Sequence, residues 1–153
     1  MDFLIIFGAK YLYVIAMAIT AVFFWYLAKE KKWSAALFGV IDLAMVYLVG
    51  LLAGYVYNNP RPFVSEHSAP LISHAADNGF PSDHTLLVAA LASILYCYNR
   101  MLGFVVFVIA ILIGVSRVFA GIHHWIDIFG SIGIAIAVTA VVYTLKRSRG
   151  TLY

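Results

Sequence analysis

Residues 101–145 read MLGFVVFVIAILIGVSRVFAGIHHWIDIFGSIGIAIAVTAVVYTL, and the fold class follows from them. Met101 to Ser116 and Ile128 to Leu145 are both free of charge. A hydrocarbon core about 30 Å thick takes roughly 20 apolar residues as a helix, about 17 at the short end. Each run therefore reads as a membrane span. The polar connection between them, with Arg117, His123, His124 and Asp127, turns the chain back at one face of the bilayer.

The same criterion applied to the rest of the chain finds three more spans. Thr85 to Tyr98 is short but reaches span length if its helix starts at Ser82, and Trp33 to Asn58 is interrupted by Asp42 alone. Tyr11 to Ala28 is uncharged; Asp2 and Lys10 precede it without a positive leading segment, so it reads as a retained span rather than a cleaved signal peptide. The expected fold is all-α, one integral-membrane domain over residues 1–153 built as a polytopic bundle of about five transmembrane helices. Composition agrees: the 153 residues are 64% hydrophobic and 11% charged, with a mean hydropathy of +0.96. Soluble domains carry about 25% charged residues, and disordered chains need low hydrophobicity, so both classes are excluded. Cys97 is the single cysteine and has no disulfide partner in the chain.

Ten Lys and Arg against seven Asp and Glu is a mildly basic balance. No basic cluster with interleaved aromatics exists outside the presumed cytoplasmic ends, so the charges read as membrane orientation and not as nucleic-acid binding. With the N-terminus outside, Lys29, Lys31, Lys32, Arg100, Lys146, Arg147 and Arg149 lie inside, and only Lys10, Arg61 and Arg117 lie outside. Cytoplasmic loops are enriched in Lys and Arg, which gives N-out, C-in for a multi-pass protein, whose expected location is the plasma membrane. The long loop 59–83, which holds all four prolines, and all five histidines (His67, His74, His84, His123, His124) then face the extracytoplasmic side.

Three stretches meet at that face: Asn59-Pro60-Arg61-Pro62-Phe63, Phe80-Pro81-Ser82-Asp83-His84, and Ser116-Arg117 followed by His123 and Asp127. Arginine forks match phosphate oxygens, and Ser82 and Asp83 are good N-cap residues that would leave helix-start N–H groups facing an anion. His123 and Asp127 stand at i and i+4, which on one helical face would orient an imidazole for attack. His84, from another helix, could give and take a proton. Each piece also has a structural reading: Arg-Pro as an interface anchor and helix stop, Pro-Ser-Asp-His as an N-cap, Arg117 as a snorkelling side chain, His123 and Asp127 as a cap or part of a metal site. Asp42 is costly as a charge inside a span and needs a partner or a proton.

Arg61-Pro62, then Pro81-Ser82-Asp83-His84, then Ser116-Arg117 with five residues before His123 and three more before Asp127, resembles the three-part signature of the type-2 phosphatidic acid phosphatase superfamily. The run Arg61-Pro62-Phe63-Val64, His67, His74, Asp77 and Phe80 to His84 is similar to the bacitracin-resistance type of undecaprenyl-diphosphatase. The resemblance implies a metal-independent, cofactor-free membrane lipid phosphatase: His123 as nucleophile, Asp127 orienting it, His84 as acid and base, and Arg61, Ser82 and Arg117 as phosphate ligands. Two departures stand out. The signature's lysine, seven residues before the arginine, is Gly54 here, with Lys10 a candidate replacement, and Asp83 replaces a glycine, with a capping or His-orienting role. His67 and His74 either hydrogen-bond the proximal phosphate of a diphosphate or fold the loop. The expected substrate is an isoprenoid diphosphate such as undecaprenyl diphosphate, hydrolysed through a phosphohistidine. A glycerolipid phosphate, phosphatidylglycerophosphate or phosphatidic acid, and a non-catalytic carrier of anionic lipid are the competing expectations.

Overall fold

The computed structural model describes residues 1–27 and 29–148. Ala28, the expected end of the first span, and Arg149, one of the inner-side cations, lie outside the described residues. The helices are α1 (Asp2–Tyr26), α2 (Lys29–Val56), the one-turn α3 (Pro62–Ser65), α4 (Asp83–Tyr98), α5 (Arg100–Phe119) and α6 (Trp125–Ser148). Among the described residues there is no strand, only an isolated bridge between Pro60 and Asn78.

Four helices, α1, α2, α5 and α6, are long and apolar enough to cross a membrane. The fifth expected span, α4, has 16 residues and rises about 24 Å, short of the roughly 30 Å hydrocarbon core. It is also the most enclosed: Val88, Ala89, Ala90, Ala92 and Leu95 are fully buried, packed with Ala16 of α1, Val46 of α2, Ala110 of α5 and Ala135 of α6. Small side chains let the surrounding helices approach closely, and a helix sheathed in protein need not match the bilayer's thickness. The loop from 57 to 82 fills the missing length. Within it Phe80 packs against Gly130 of α6 and Pro81 against Gly50 of α2, six residues, about 9 Å, inside the end of that helix.

Helix α1 begins at Asp2, not near Tyr11 as the charge pattern suggested. Phe3 to Ala9 is itself apolar, and Lys10, exposed, keeps its charged tip off the helix on a long aliphatic stem. Asp42 is buried and accepts a hydrogen bond from Thr139 of α6 at 2.9 Å, which ties α2 to α6 in mid-span. Chain alternation brings the starts of α1, α4 and α6 and the ends of α2 and α5 to one side of the bundle. There the three signature stretches meet.

Candidate active site

The connection from α5 to α6 sets the centre of the site. Asp127 sits in the first turn of α6 and its Oδ2 accepts the backbone N–H of His124 at 2.8 Å, the reach-back of an acidic residue that closes a helix start. His123 therefore precedes the helix, and its pairing with Asp127 comes from this cap rather than from a shared helical face. The His123 Nδ1 stands 3.2 Å from Asp127 Oδ2.

On the other side of the ring, His123 Nε2 lies 3.2 Å from a terminal nitrogen of Arg61 and 3.2 Å from one of Arg117. Guanidinium nitrogens only donate and carboxylate oxygens only accept, so Nδ1 carries the hydrogen and Nε2 presents its lone pair. Burial first, aided by the charges of Arg117 and Arg61, holds the imidazole below its ordinary pKa despite the bond to Asp127. A neutral ring with a fixed tautomer is the nucleophilic form.

Both arginines are buried and anchored. Arg61 Nε donates to Asp77 Oδ1 at 2.7 Å and its terminal nitrogen to the Ile122 carbonyl at 2.8 Å, while Arg117 donates to the Ala9 carbonyl of α1 at 3.1 Å. Among the described residues, Arg117 Nε is buried without a hydrogen-bond partner. An unmet buried donor of this kind costs about 1–3 kcal/mol unless something fills it, and an oxyanion would. Asp77, in the loop, is held below the usual carboxylate range: burial alone would raise it, and the hydrogen bond and charge of Arg61 outweigh that.

His84, second residue of α4, packs its ring edge-on to Tyr13 of α1 at 4.8 Å between centroids and is within electrostatic reach of Arg117, His123 and His74. His74 comes to 6.4 Å from the His123 ring; burial and then the Arg61 charge lower its pKa. His67 is exposed at φ 53° and shares none of the cluster's hydrogen bonds. Ser82 is fully buried in the N-cap position, but its side chain makes no cap; the hydroxyl lies 3.2 Å from Thr85 Oγ1. The first-turn amides of α4 are thus left without a side-chain cap. Asp83 is exposed and lines an apolar groove between α2 and α4 with Val46 and Leu86.

Gly54, where the signature has lysine, has a physical cause here. A Cβ at that position would stand 2.8 Å from the Phe80 carbonyl, and Asn78 Nδ2 donates to the Gly54 carbonyl at 2.8 Å. The loop is packed onto the bare backbone, so a side chain at 54 would displace it. Lys10 is exposed on α1, next to Ala9.

Sequence reasoning missed Asn59, whose side chain donates to Asp127 Oδ1 at 2.7 Å, and Ser131, whose hydroxyl donates to the Asp127 carbonyl at 2.7 Å and accepts from the Ser82 N–H at 2.9 Å. Asn59 opens the first of the three stretches, but nothing in the chain assigns it a role. Nothing near Ser131 or Tyr13 in the chain pointed to partners far along it.

A family model described as the PAP2 superfamily matches residues 35–150. The chain is 32% identical over 142 residues to "Undecaprenyl-diphosphatase BcrC" of Bacillus subtilis strain 168, covering 90% of this chain and 71% of that one. It is 28% identical over 113 residues to "Bacitracin transport permease protein BcrC" of Bacillus licheniformis, 73% of this chain and 56% of the relative's length. Among solved structures, Aquifex aeolicus LpxE shares the fold at a TM-score of 0.69 and 22% identity, over 92% of this chain and 81% of the other.

Proposed function

The chain belongs to the PAP2 superfamily, and on that basis we propose that it removes the terminal phosphate of an isoprenoid diphosphate such as undecaprenyl diphosphate through a phosphohistidine on His123. The observation that carries the reading is the His123 ring itself, with Nε2 3.2 Å from both guanidinium groups and Nδ1 3.2 Å from Asp127. The Nε2 lone pair attacks the terminal phosphorus, the bond to the bridging oxygen breaks, and His84 gives a proton to that leaving oxygen. The lipid monophosphate departs. Water then attacks the phosphohistidine with His84 taking its proton, the P–N bond breaks, and inorganic phosphate leaves. Arg61, Arg117 and the first amides of α4, with Ser82 at their head, take the phosphoryl oxygens, so the charge neutralisation a metal would give is supplied by fixed donors. His74, beside His123, is placed for the proximal phosphate of a diphosphate.

A competition assay with purified protein in excess EDTA tests substrate and metal dependence together. Undecaprenyl diphosphate should be preferred over phosphatidic acid and phosphatidylglycerophosphate by about tenfold or more in kcat/KM, roughly 1.4 kcal/mol of differential transition-state binding. Equal turnover of all three lipids would make this a general lipid phosphatase, and activity restored only by added Mg²⁺ or Zn²⁺ would remove the metal-free mechanism.

The site is read as extracytoplasmic, with N-out, C-in topology in the plasma membrane. Lys146 and Arg147 in the last turn of α6, with Lys31 and Lys32 in α2, support this by the positive-inside rule. After replacement of Cys97, a cysteine at Ser65 or Ser68 should react with a membrane-impermeant thiol reagent in intact cells, and one at Ser34 or Ser148 should not. The reverse pattern would place the site in the cytoplasm.

A further inference from the structure

Asn59 lies two residues before Arg61 and is held on three sides. Its backbone N–H donates to Asn78 Oδ1 at 2.9 Å, its carbonyl accepts the Gly79 N–H at 2.9 Å, and its side-chain nitrogen donates to Asp127 Oδ1 at 2.7 Å. A carboxylate only accepts, so the Asn59 atom that faces it is the amide nitrogen. Gly79 closes over the pair: a Cβ there would stand 3.0 Å from both the Asn59 carbonyl and Asp127 Oδ2.

The two Asp127 oxygens thus serve three donors. Asn59 has the shortest contact, 2.7 Å, the His124 N–H is at 2.8 Å, and His123 Nδ1 is the longest at 3.2 Å. The carboxylate's direction is therefore set by Asn59 and the backbone, not by the imidazole that it serves. We propose that Asn59 is a positioning residue for the nucleophile, its side-chain amide fixing the Asp127 carboxylate and, through it, the ring direction and tautomer of His123. A neutral donor suits this task. It steadies the carboxylate without cancelling the charge that the imidazole needs as it is phosphorylated. The inference rests on the reading of His123 as nucleophile.

The test measures kcat and KM against pH for wild type, Asn59→Ala and Asn59→Asp. The groups facing the pair are His123 and His124 from the α5–α6 connection, Arg61, His74 and Asp77 from the loop, Arg117 from α5 and His84 from α4. The titration of those that do not touch Asp127 is shared by all three proteins, so the ratio to wild type isolates the coupled set of residue 59, Asp127 and His123. Asn59→Ala should lose about 10- to 100-fold in kcat with KM changed less than about threefold, at every pH. Asn59→Asp sets two carboxylates at hydrogen-bond distance, where they share one proton. While that proton is held, the introduced carboxyl group donates as the Asn59 amide does, so kcat should lie within about threefold of wild type at the acid end. It should fall about tenfold or more relative to wild type as the pH rises and the donor is lost. A loop anchor without a role in orientation would give no such slope.

Asn59→Ala within about twofold of wild type, or an Asn59→Asp ratio flat with pH, would overturn the proposal. Should Asn59→Ala fail to fold, the slope of Asn59→Asp decides alone. His123→Ala separates the two levels: if it still turns over lipid, the nucleophile reading falls and Asn59 with it. If it is inactive while Asn59→Ala is unimpaired, only the positioning role falls.

Discussion

His123→Ala should be inactive, at least about 10⁴-fold below wild type, and should form no phosphoenzyme. Among the described residues, the atom removed is the only ring nitrogen within hydrogen-bond distance of both guanidinium groups. His84→Ala should also be nearly inactive on lipid substrate, for a different reason. It keeps the nucleophile and loses the proton shuttle, so with a substrate whose leaving group needs no proton it should accumulate phosphohistidine. Rapid-quench labelling distinguishes the two. Phosphoenzyme in the His123 variant, or its absence from the His84 variant with such a substrate, would reverse the assignment.

Asp127→Asn should lower kcat by about 10²- to 10⁴-fold with little loss of stability. The side-chain oxygen of asparagine can still accept the His124 N–H and so keep the start of α6, and Asn59 can rotate its amide to meet the new NH₂ group. What disappears is the negative charge that stabilises the imidazole when it becomes positively charged on phosphorylation. Unfolding in detergent should shift little while kcat falls. A parallel collapse of both would mean that Asp127 chiefly holds the helix start. An unchanged kcat would remove it from the mechanism.

The acid side of the pH profile follows from the same ring. His123 is lowered from the ordinary imidazole pKa, so it stays neutral as pH falls through 6.5 and protonates only below that. Because the unfolded chain would bind that proton first, the buried ring contributes stability that is lost toward acid pH.

Much of this molecule could be read from the chain. Apolar runs of span length, carrying at most one charge each, pointed to the four long helices and the bundle, because a bilayer accepts only segments that satisfy their own backbone. The spacing of Arg61, His84, Arg117, His123 and Asp127 brought the candidate site into view, since each lies at or near the outer end of a long helix or of α4. Helix α1 runs nine residues further toward the N-terminus than its uncharged stretch, because the long amphipathic side chain of Lys10 stays inside a helix without ending it.

Membrane class, the helical bundle and the identity of the charged groups at one end of it were all legible in the chain, since they depend on composition and local periodicity. How those groups meet emerged only from the packed bundle. His123 lies outside the helix and is tied to Asp127 through a helix cap, and Arg61 is steered by Asp77. Asn59 reaches Asp127 across 68 residues, Ser131 holds Ser82 across 49, and the loop's packing on Gly54 leaves no room for a side chain at that position. Contacts of that kind depend on the angle and depth at which helices pack, and no local pattern in the chain encodes either.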